Sequence, residues 1–200
     1  MRTPSVKSLA IALLLAPATL AFARARTPLE LLPESRLWVE GTSNVRSFSC
    51  AAKSFTTDVQ TPAADAVAQV LAGEKAVGAV DVKVDVAQLD CANGKMNDHM
   101  RKTLKAQDNP TIEFVLGSYE LVKADSGMQA KLDGTLTLAG TPKPVTITAD
   151  VTQASEGVLH VTGSYGFRLT DFGLKPPSLM LGAFKVHDPV TVRFDLFLHN

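Results

Sequence analysis

The histidine and acidic residues of this chain could hold a metal or move protons only if they stood at suitable spacings. The four histidines, at positions 99, 160, 187 and 199, form no His-x-His or His-x-x-x-His pair, the spacings that would indicate a metal site. His187 stands beside Asp188, but neighbouring strand residues point to opposite faces, and Pro189 indicates a turn at this point. We therefore expect no metal site and no acid/base pair.

The serines offer no hydrolytic centre either. A hydrolase nucleophile lies within Gly-x-Ser-x-Gly on a strand-to-helix turn, whereas the segment around Ser164 reads Gly-Ser-Tyr-Gly and falls inside a predicted strand. No glycine-rich phosphate loop opens a helix. The sequence therefore predicts a protein that is not an enzyme, with no catalytic residue and no cofactor.

The first 25 residues have the pattern of a cleavable export signal. Arg2 and Lys7 precede the apolar run Leu9–Leu15, and alanines at positions 21, 23 and 25 offer Ala-x-Ala cleavage sites. The run is too short to span a hydrocarbon core of about 30 Å. We expect a secretory signal peptide at residues 1–25, one domain at residues 26–200, and a periplasmic protein.

The charge of the mature chain argues against nucleic acid as a partner. Cleavage after residue 25 would leave 17 basic against 20 acidic residues. Phosphate backbones are bound by clustered Lys and Arg side chains, and no such cluster is present.

Cys50 and Cys91 are the only cysteines. An even pair in an exported protein favours a structural disulfide, and closing a loop of 41 positions stabilises the fold by roughly 4 kcal/mol in the entropic treatment. A redox or metal pair would need Cys-x-x-Cys spacing or nearby histidines. The bridge would join the second strand to the segment before a helix.

Beyond the signal, apolar and polar residues alternate repeatedly, which is the period of a strand with one buried face. About eight such strands are predicted, including one over residues 36–41 and one over residues 46–57, with Gly, Asn and Pro between them. Antiparallel strands at this spacing indicate an all-β barrel or sandwich. The interior positions include several small residues, which are Ala79, Ala130, Gly134, Ala149 and Gly163.

Two short helices are predicted beside the strands. Met96, Met100 and Leu104 fall on one face of a helix that Asn97 or Asp98 would cap, which leaves His99 as an exposed helix residue. Residues 63–71 carry a second apolar stripe. Short helices beside a barrel usually cover an open end or pack under a loop.

Four segments, taken in order, resemble the YceI-like family of bacterial polyisoprenoid-binding proteins. They are Gly41–Cys50 (GTSNVRSFSC), Met96–Phe114 (MNDHMRKTLKAQDNPTIEF), Gly134–Ile147 (GTLTLAGTPKPVTI) and Gly163–Leu198, whose long connection contains Phe-Gly-Leu, Pro-Pro and Met-Leu-Gly. The resemblance spans residues 35–199. It implies an eight-stranded antiparallel lipocalin-like barrel that encloses a long isoprenoid chain.

On this reading, twelve inward side chains form an apolar lumen that holds the ligand. They are Val82, Val84, Phe114, Leu116, Leu136, Ile147, Val161, Tyr165, Phe167, Val192, Phe194 and Leu196. An eight-stranded barrel can fill its interior with its own side chains or hold one slender ligand, and the alternation alone leaves both open. The expected ligand is a polyprenyl phosphate or a quinone, bound non-covalently, with transient membrane contact and an oligomeric state left open.

The connection between residues 169 and 187 is predicted to form either a lid or a loop that folds its apolar residues onto the barrel end. Those apolar residues are Leu174, Leu179, Met180 and Leu181. Arg168 and Lys175 are the candidate cations for a head group at the mouth. The alternative function is a non-enzymatic envelope stress or assembly factor, whose packed barrel acts through protein partners.

Overall fold

The structure, a computed structural model, describes residues 27–62, 64–179 and 183–200. The signal peptide expected at residues 1–25 lies outside the described residues. The strands are β1 (Thr27–Leu31), β2 (Arg36–Ser43), β3 (Ser47–Ala52), β4 (Thr56–Thr61), β5 (Ala79–Asp85), β6 (Leu89–Asp90), β7 (Thr111–Ala124), β8 (Gly127–Leu138), β9 (Thr141–Ser155), β10 (Val158–Arg168), β11 (Ser178–Leu179) and β12 (Phe184–His199). The helices are α1 (Ala66–Leu71) and α2 (Gly94–Thr103), and 3₁₀ turns occur at Val86–Gln88 and Leu169–Phe172.

The sheet closes on itself as an antiparallel barrel. β1 and β2 serve as one barrel strand, and the same holds for β3 with β4 and for β5 with β6. With the short β11 set aside, because it lies off this path beside β12, eight barrel strands remain in chain order. The last strand, β12, returns to the first, with Glu30 opposite His199 and Val39 opposite Val192. The predicted eight-stranded lipocalin-like fold is confirmed.

The interruption between β3 and β4 is a difference from the sequence prediction, which had one strand over residues 46–57. The partner strand breaks at the same level, where Asp85 accepts a hydrogen bond from the Ala87 amide at 2.8 Å and caps the 3₁₀ turn. Among the described residues, one backbone hydrogen bond, from the Lys53 amide to the Gln88 carbonyl, joins the two strands at this level. The 3₁₀ turn between β5 and β6 thus interrupts the backbone pairing with the neighbouring strand between β3 and β4.

The two helices lie at opposite ends of the barrel. α1 buries Ala66, Val67 and Val70 against the ends of the strands, and Gly73, with φ of 87°, takes the left-handed conformation that follows the helix. The predicted helix over residues 63–71 is confirmed from Ala66 onward, while residue 63 lies outside the described residues. α1 therefore closes one end of the barrel.

α2 begins earlier than predicted, because Asn93 caps it. The Asn93 side chain accepts a hydrogen bond from the Met96 amide at 3.1 Å. Asn97 is one of the two predicted caps, but its side-chain amide makes other contacts. The side-chain nitrogen donates a hydrogen bond to Asp90 and the side-chain oxygen accepts one from the Cys91 backbone N–H, each at 2.8 Å. The prediction of Asn97 or Asp98 as the cap was wrong. The cap is Asn93, which has the extended backbone typical of this position.

Candidate functional site

A cavity of about 240 Å³ runs inside the barrel, and we call it the inner cavity. Twenty-seven of the described residues line it, of which 24 are aliphatic or phenylalanine and three are Thr57, Tyr119 and Tyr165. The lining comes from nearly every barrel strand, because alternate residues point inward. From α1, Val70 also lines the cavity and closes its far end. The barrel interior is thus a hollow apolar space rather than a filled core.

The structure places eleven of the twelve predicted lumen residues around the inner cavity. These eleven are Val82, Val84, Phe114, Leu116, Leu136, Ile147, Val161, Tyr165, Val192, Phe194 and Leu196. Phe167 instead lies beyond it, where its ring meets Phe172 edge to face at 5.2 Å and stacks beside Tyr165 at 5.7 Å. Strand alternation is a local property, so it identifies the inward face without identifying the level along the barrel.

Small inward residues make room for the aromatic rings of the lumen. Gly163 lies opposite Phe194 in the β10–β12 ladder, and a Cβ at this glycine would overlap the Phe194 ring. A Cβ at Gly134 would come within 2.6 Å of the Phe114 ring. Ala130 and Ala149 are buried as predicted, whereas Ala79 is exposed on the outer face. The prediction for Ala79 was wrong because it alternates with the inward residue Val80.

The few polar atoms inside the cavity are uncharged. The Tyr119 hydroxyl accepts a hydrogen bond from the Val77 amide at 3.0 Å, and burial raises the pKa of this phenol. Burial likewise raises the pKa of Tyr165. Thr57 Oγ1 is buried without a hydrogen-bond partner among the described residues. No charged side chain of the described residues lines the inner cavity, so its contents must be largely apolar.

A second cavity, of about 640 Å³, adjoins the first at the end opposite α1, and we call it the outer cavity. Ile112, Leu136 and Val192 line both cavities. The walls of the outer cavity are β3, one face of α2, and the segment that precedes and begins β12. It therefore forms the entrance region of the barrel.

A disulfide and one aspartate hold α2 against this entrance. The predicted bond between Cys50 on β3 and Cys91 before α2 is present, and both cysteines line the outer cavity. Asp90 accepts hydrogen bonds from the Asn97 side chain and from the Ala92 amide, and it pairs with Lys53 at 3.0 Å. These contacts, led by that of Asn97, lower the pKa of Asp90 to about 2.

The outer cavity carries the cations that the inner cavity lacks. Arg46 comes from the β2–β3 turn, and Lys95 and His99 lie one helical turn apart on α2. His99 was predicted to be an exposed helix residue, but it faces the outer cavity and is half-buried. Arg46, Phe48 and Cys50 follow one another at a period of two from the turn into β3, and this spacing is the signal that could have identified Arg46.

The predicted head-group cations lie elsewhere at the same end of the barrel. Arg168 and Lys175 are both exposed, and neither side chain lines either cavity. The Arg168 amide donates to Asp171 at 3.2 Å, which opens the 3₁₀ turn. Sequence position near the connection did not reveal where these side chains point.

The connection itself folds largely onto the barrel end. Leu169, Phe172 and Leu174 are buried in one apolar cluster, which agrees with the predicted alternative of a loop that folds its apolar residues onto the barrel end. Ser178 and Leu179 form β11 against the start of β12, and Pro177 lines the outer cavity. The other two apolar residues of the connection, Met180 and Leu181, lie outside the described residues.

His187 and Asp188 are held in separate structural contacts. His187 Nδ1 shares a hydrogen bond with Thr42 Oγ1 at 2.9 Å, while Asp188 accepts from the Thr170 amide and hydroxyl. These Thr170 contacts lower the pKa of Asp188. His187 and Asp188 therefore do not act as a pair. Within the described residues, no cluster of His, Cys, Asp and Glu could hold a metal ion.

Neither helix in the described part of the chain is long and apolar enough to cross a membrane.

Comparison with known proteins gives a family and a set of similar folds. The model of the YceI-like domain matches residues 36–198. No curated protein matches the chain. At 22% identity, BcnA of Burkholderia cenocepacia superposes with a TM-score of 0.61, covering 82% of this chain and 96% of that one.

Two further solved structures share the barrel. The YceI protein of Campylobacter jejuni has a TM-score of 0.57 at 18% identity, covering 80% of this chain and 84% of that one. A polyisoprenoid-binding domain from Saccharophagus degradans, implicated in plant cell wall breakdown, has a TM-score of 0.58 at 14% identity, covering 86% of this chain and 97% of that one. At these identities the likeness shows the fold, and the domain match over residues 36–198 shows that the chain belongs to the YceI-like family.

Proposed function

We propose that this protein binds an isoprenoid lipid non-covalently and carries it through the periplasm. The observation that supports this proposal is the inner cavity, where 24 of the 27 described lining residues are apolar and none of the 27 is charged. The twelve lumen side chains predicted from the sequence are the proposed tail-binding residues, with Phe167 at the junction with the outer cavity. The step is binding alone, and no bond is made or broken.

The size and chemistry of the cavities suit a slender hydrocarbon chain. Burial of one CH₂ group contributes about 0.8 kcal/mol, so a five-carbon unit contributes several kcal/mol before the cost of ordering the chain. The inner and outer cavities, of about 240 and 640 Å³, together fall in the range of roughly 300–1,000 Å³ that ligand pockets occupy. A ligand that reaches from one cavity into the other would be long and narrow.

Two further observations support an isoprenoid in the periplasm. The solved domain from Saccharophagus degradans is described as polyisoprenoid-binding and has the same fold. The Cys50–Cys91 disulfide suits an oxidising compartment, and the N-terminal residues have the pattern of an export signal. The candidate ligands are polyprenyl phosphates and quinones, which would be collected and delivered by transient contact with a membrane.

The first test is native mass spectrometry of the protein purified from periplasm without detergent, followed by organic extraction of bound material. We expect a discrete added mass that resolves into a polyprenyl compound. A bare mass that persists after incubation with a quinone and a polyprenyl phosphate would contradict the proposal, and the search would turn to protein partners.

A pair of variants on β9 tests the location of the tail. Ile147 lines the inner cavity, whereas its neighbour Thr148 is exposed on the outer face. Ile147→Trp should fill the lumen and remove the bound lipid, while Thr148→Trp should retain it, with circular dichroism confirming that both variants fold. Equal lipid content in the two variants would place the ligand outside the barrel.

A further inference from the structure

We propose that Arg46 and Lys95 bind an anionic phosphate or diphosphate head group in the outer cavity, so that the lipid is a prenyl phosphate rather than a quinone. This inference rests on the proposed function, because it concerns the polar end of the ligand whose tail lies in the inner cavity.

The polar end of such a lipid has only one place to lie. Among the residues that the structure describes, none that lines the inner cavity is charged, and a phosphate buried there would lose its hydration without compensation. At the far end, Val70 of α1 lines the cavity and neighbouring helix residues are buried. The head group must therefore lie towards the outer cavity, which shares Ile112, Leu136 and Val192 with the inner one.

The charges of the outer cavity have one sign. Arg46 and Lys95 contribute to its lining, and no aspartate or glutamate does so among the described residues. A quinone ring is uncharged, so it could accept hydrogen bonds from these side chains but would form no ion pair with them. An entrance lined by cations and no carboxylate favours an anion instead.

Neither of the two cationic side chains is paired with another protein group among the described residues. Within the described ranges, the side chains of Arg46 and Lys95 take part in none of the ion pairs, which join Lys53, Lys83, Arg101, His160 and Arg193 to acidic residues. Their side chains also make no hydrogen bond within the protein in this part of the chain. The guanidinium can therefore form a bidentate contact with phosphate oxygens, and the ammonium can act as a mobile point charge.

The two cations line the outer cavity from two separate elements. Arg46 in the β2–β3 turn is followed at a period of two by Phe48 and Cys50, which line the outer cavity from β3. Lys95 and His99 lie on the facing side of α2, which the Cys50–Cys91 bond ties to β3. The imidazole of His99 supplies at least one N–H donor in either protonation state. The disulfide thus fixes the two walls between which the head group would sit.

The test compares two ligands that share a tail and differ in head group. Geranylgeranyl diphosphate and geranylgeraniol are titrated calorimetrically into delipidated wild-type protein, Arg46→Gln/Lys95→Gln, and the control Arg168→Gln/Lys175→Gln. The control removes two positive charges at the same end of the barrel but outside both cavities. In wild type and control we expect the diphosphate to bind at least about tenfold more tightly than the alcohol.

In Arg46→Gln/Lys95→Gln this preference should disappear while the affinity for geranylgeraniol stays unchanged. Equal affinities in the wild type, or a preference that survives this double substitution, would overturn the head-group assignment while leaving tail binding intact. Failure of both ligands to bind any of the proteins would instead contradict the proposed function.

Inorganic diphosphate is the third probe, because a cationic entrance could serve a free anion. We expect it to bind wild type at least about a hundredfold more weakly than geranylgeranyl diphosphate, since it lacks the tail. Binding as tight as that of the lipid would show a free-anion site and would also overturn the assignment.

Discussion

The hydroxyl of Thr57 is a polar group in the mostly apolar lining of the inner cavity. It lines the inner cavity, and its Oγ1 atom is buried without a hydrogen-bond partner among the described residues. A buried hydroxyl without a partner destabilises a protein by about 1–3 kcal/mol. Because valine has the same shape, Thr57→Val should raise the free energy of unfolding of the delipidated protein by about 1 kcal/mol.

Urea denaturation measures this change, with Thr56→Val as the control. Thr56 is the exposed neighbour on β4, so its substitution should alter the free energy of unfolding by no more than about 0.5 kcal/mol. A loss of stability in Thr57→Val alone would mean that the hydroxyl has a partner in solution, such as an ordered water.

The lowered pKa of Asp90 predicts that the stability of the protein depends on pH in the acidic range. Its pKa is lowered from 3.8 to about 2 in the folded protein by the side chains of Asn97 and Lys53 and by the Ala92 amide. A lowered folded-state pKa stabilises the protein above the unfolded value, and this contribution is lost as the pH falls from about 4 to about 2. The anchoring of α2 should therefore weaken over this range.

Asp90→Asn tests this expectation through the urea midpoint at pH 7, 4 and 2. We expect a lower midpoint than wild type at pH 7 and a difference that shrinks towards pH 2, where the wild-type carboxyl is also becoming protonated. Asp98→Asn is the control, since Asp98 makes only an exposed pair with Arg101 at 3.4 Å, and such pairs contribute little. A difference that stays constant with pH would show that the carboxylate charge has no role.

At the scale of elements, the packing of β10 against β12 depends on a glycine. A Cβ at Gly163 would overlap the Phe194 ring and lie 2.8 Å from the Thr148 carbonyl oxygen. Gly163→Ala should therefore lower the free energy of unfolding by about 1–3 kcal/mol, as expected for overpacking.

Gly166 on the same strand is the matched control for this prediction. The atom nearest to its added Cβ is Thr191 Oγ1 at 3.7 Å, which is ordinary contact. Gly166→Ala should leave stability unchanged or raise it slightly, because alanine loses less backbone entropy on folding. Equal effects of the two substitutions, measured by chemical denaturation, would refute the packing role of Gly163.

The disulfide is the covalent link between β3 and α2, and its removal should act mainly at the entrance. Closing a loop of 41 residues contributes roughly 4 kcal/mol in the entropic treatment. Cys50→Ala/Cys91→Ala should lose up to about that amount and should exchange amide hydrogens faster in α2 than wild type does. α1, at the opposite end, provides the internal control, and equal acceleration in both helices would contradict a local role.

The sequence predicted the barrel and its inward faces better than it predicted the entrance. Alternation is a property of neighbouring residues, so Val82, Phe114 and Leu136 could be assigned to the inward face directly. The start of α2 could not, because Asn97 is engaged by Asp90 and Cys91, contacts that exist only in the folded protein. The cations of the outer cavity depend on how α2 is placed, and they were missed for the same reason.

At the scale of the whole molecule, the barrel is closed at one end and approachable at the other. α1 and its buried residues block one end, while the outer cavity between β3 and α2 adjoins the lumen at the other. A long chain would therefore enter tail first, with its head group remaining at the entrance. This direction follows from the shape of the cavity and from the absence of charge in the lining of its inner part.

Removal of the ligand should lower the stability of the whole barrel, because the lipid binds only the folded state. At a ligand concentration of 100 times Kd, bound lipid stabilises the fold by about 2.7 kcal/mol. In a domain of this size, each kcal/mol corresponds to about 2–4 °C in Tm. Delipidation should therefore lower Tm by roughly 5–10 °C, and added geranylgeraniol should restore it, as measured by calorimetry.

Ile147→Trp separates this effect from damage caused by the extraction itself. Its lumen should already be filled by the indole, so organic extraction should leave its Tm unchanged. A fall in Tm on extraction that occurs in the wild type and not in Ile147→Trp would then be due to the loss of bound lipid. If both proteins lost the same number of degrees on extraction, the loss would report harm to the barrel, and stabilisation by a lipid in the lumen would be refuted.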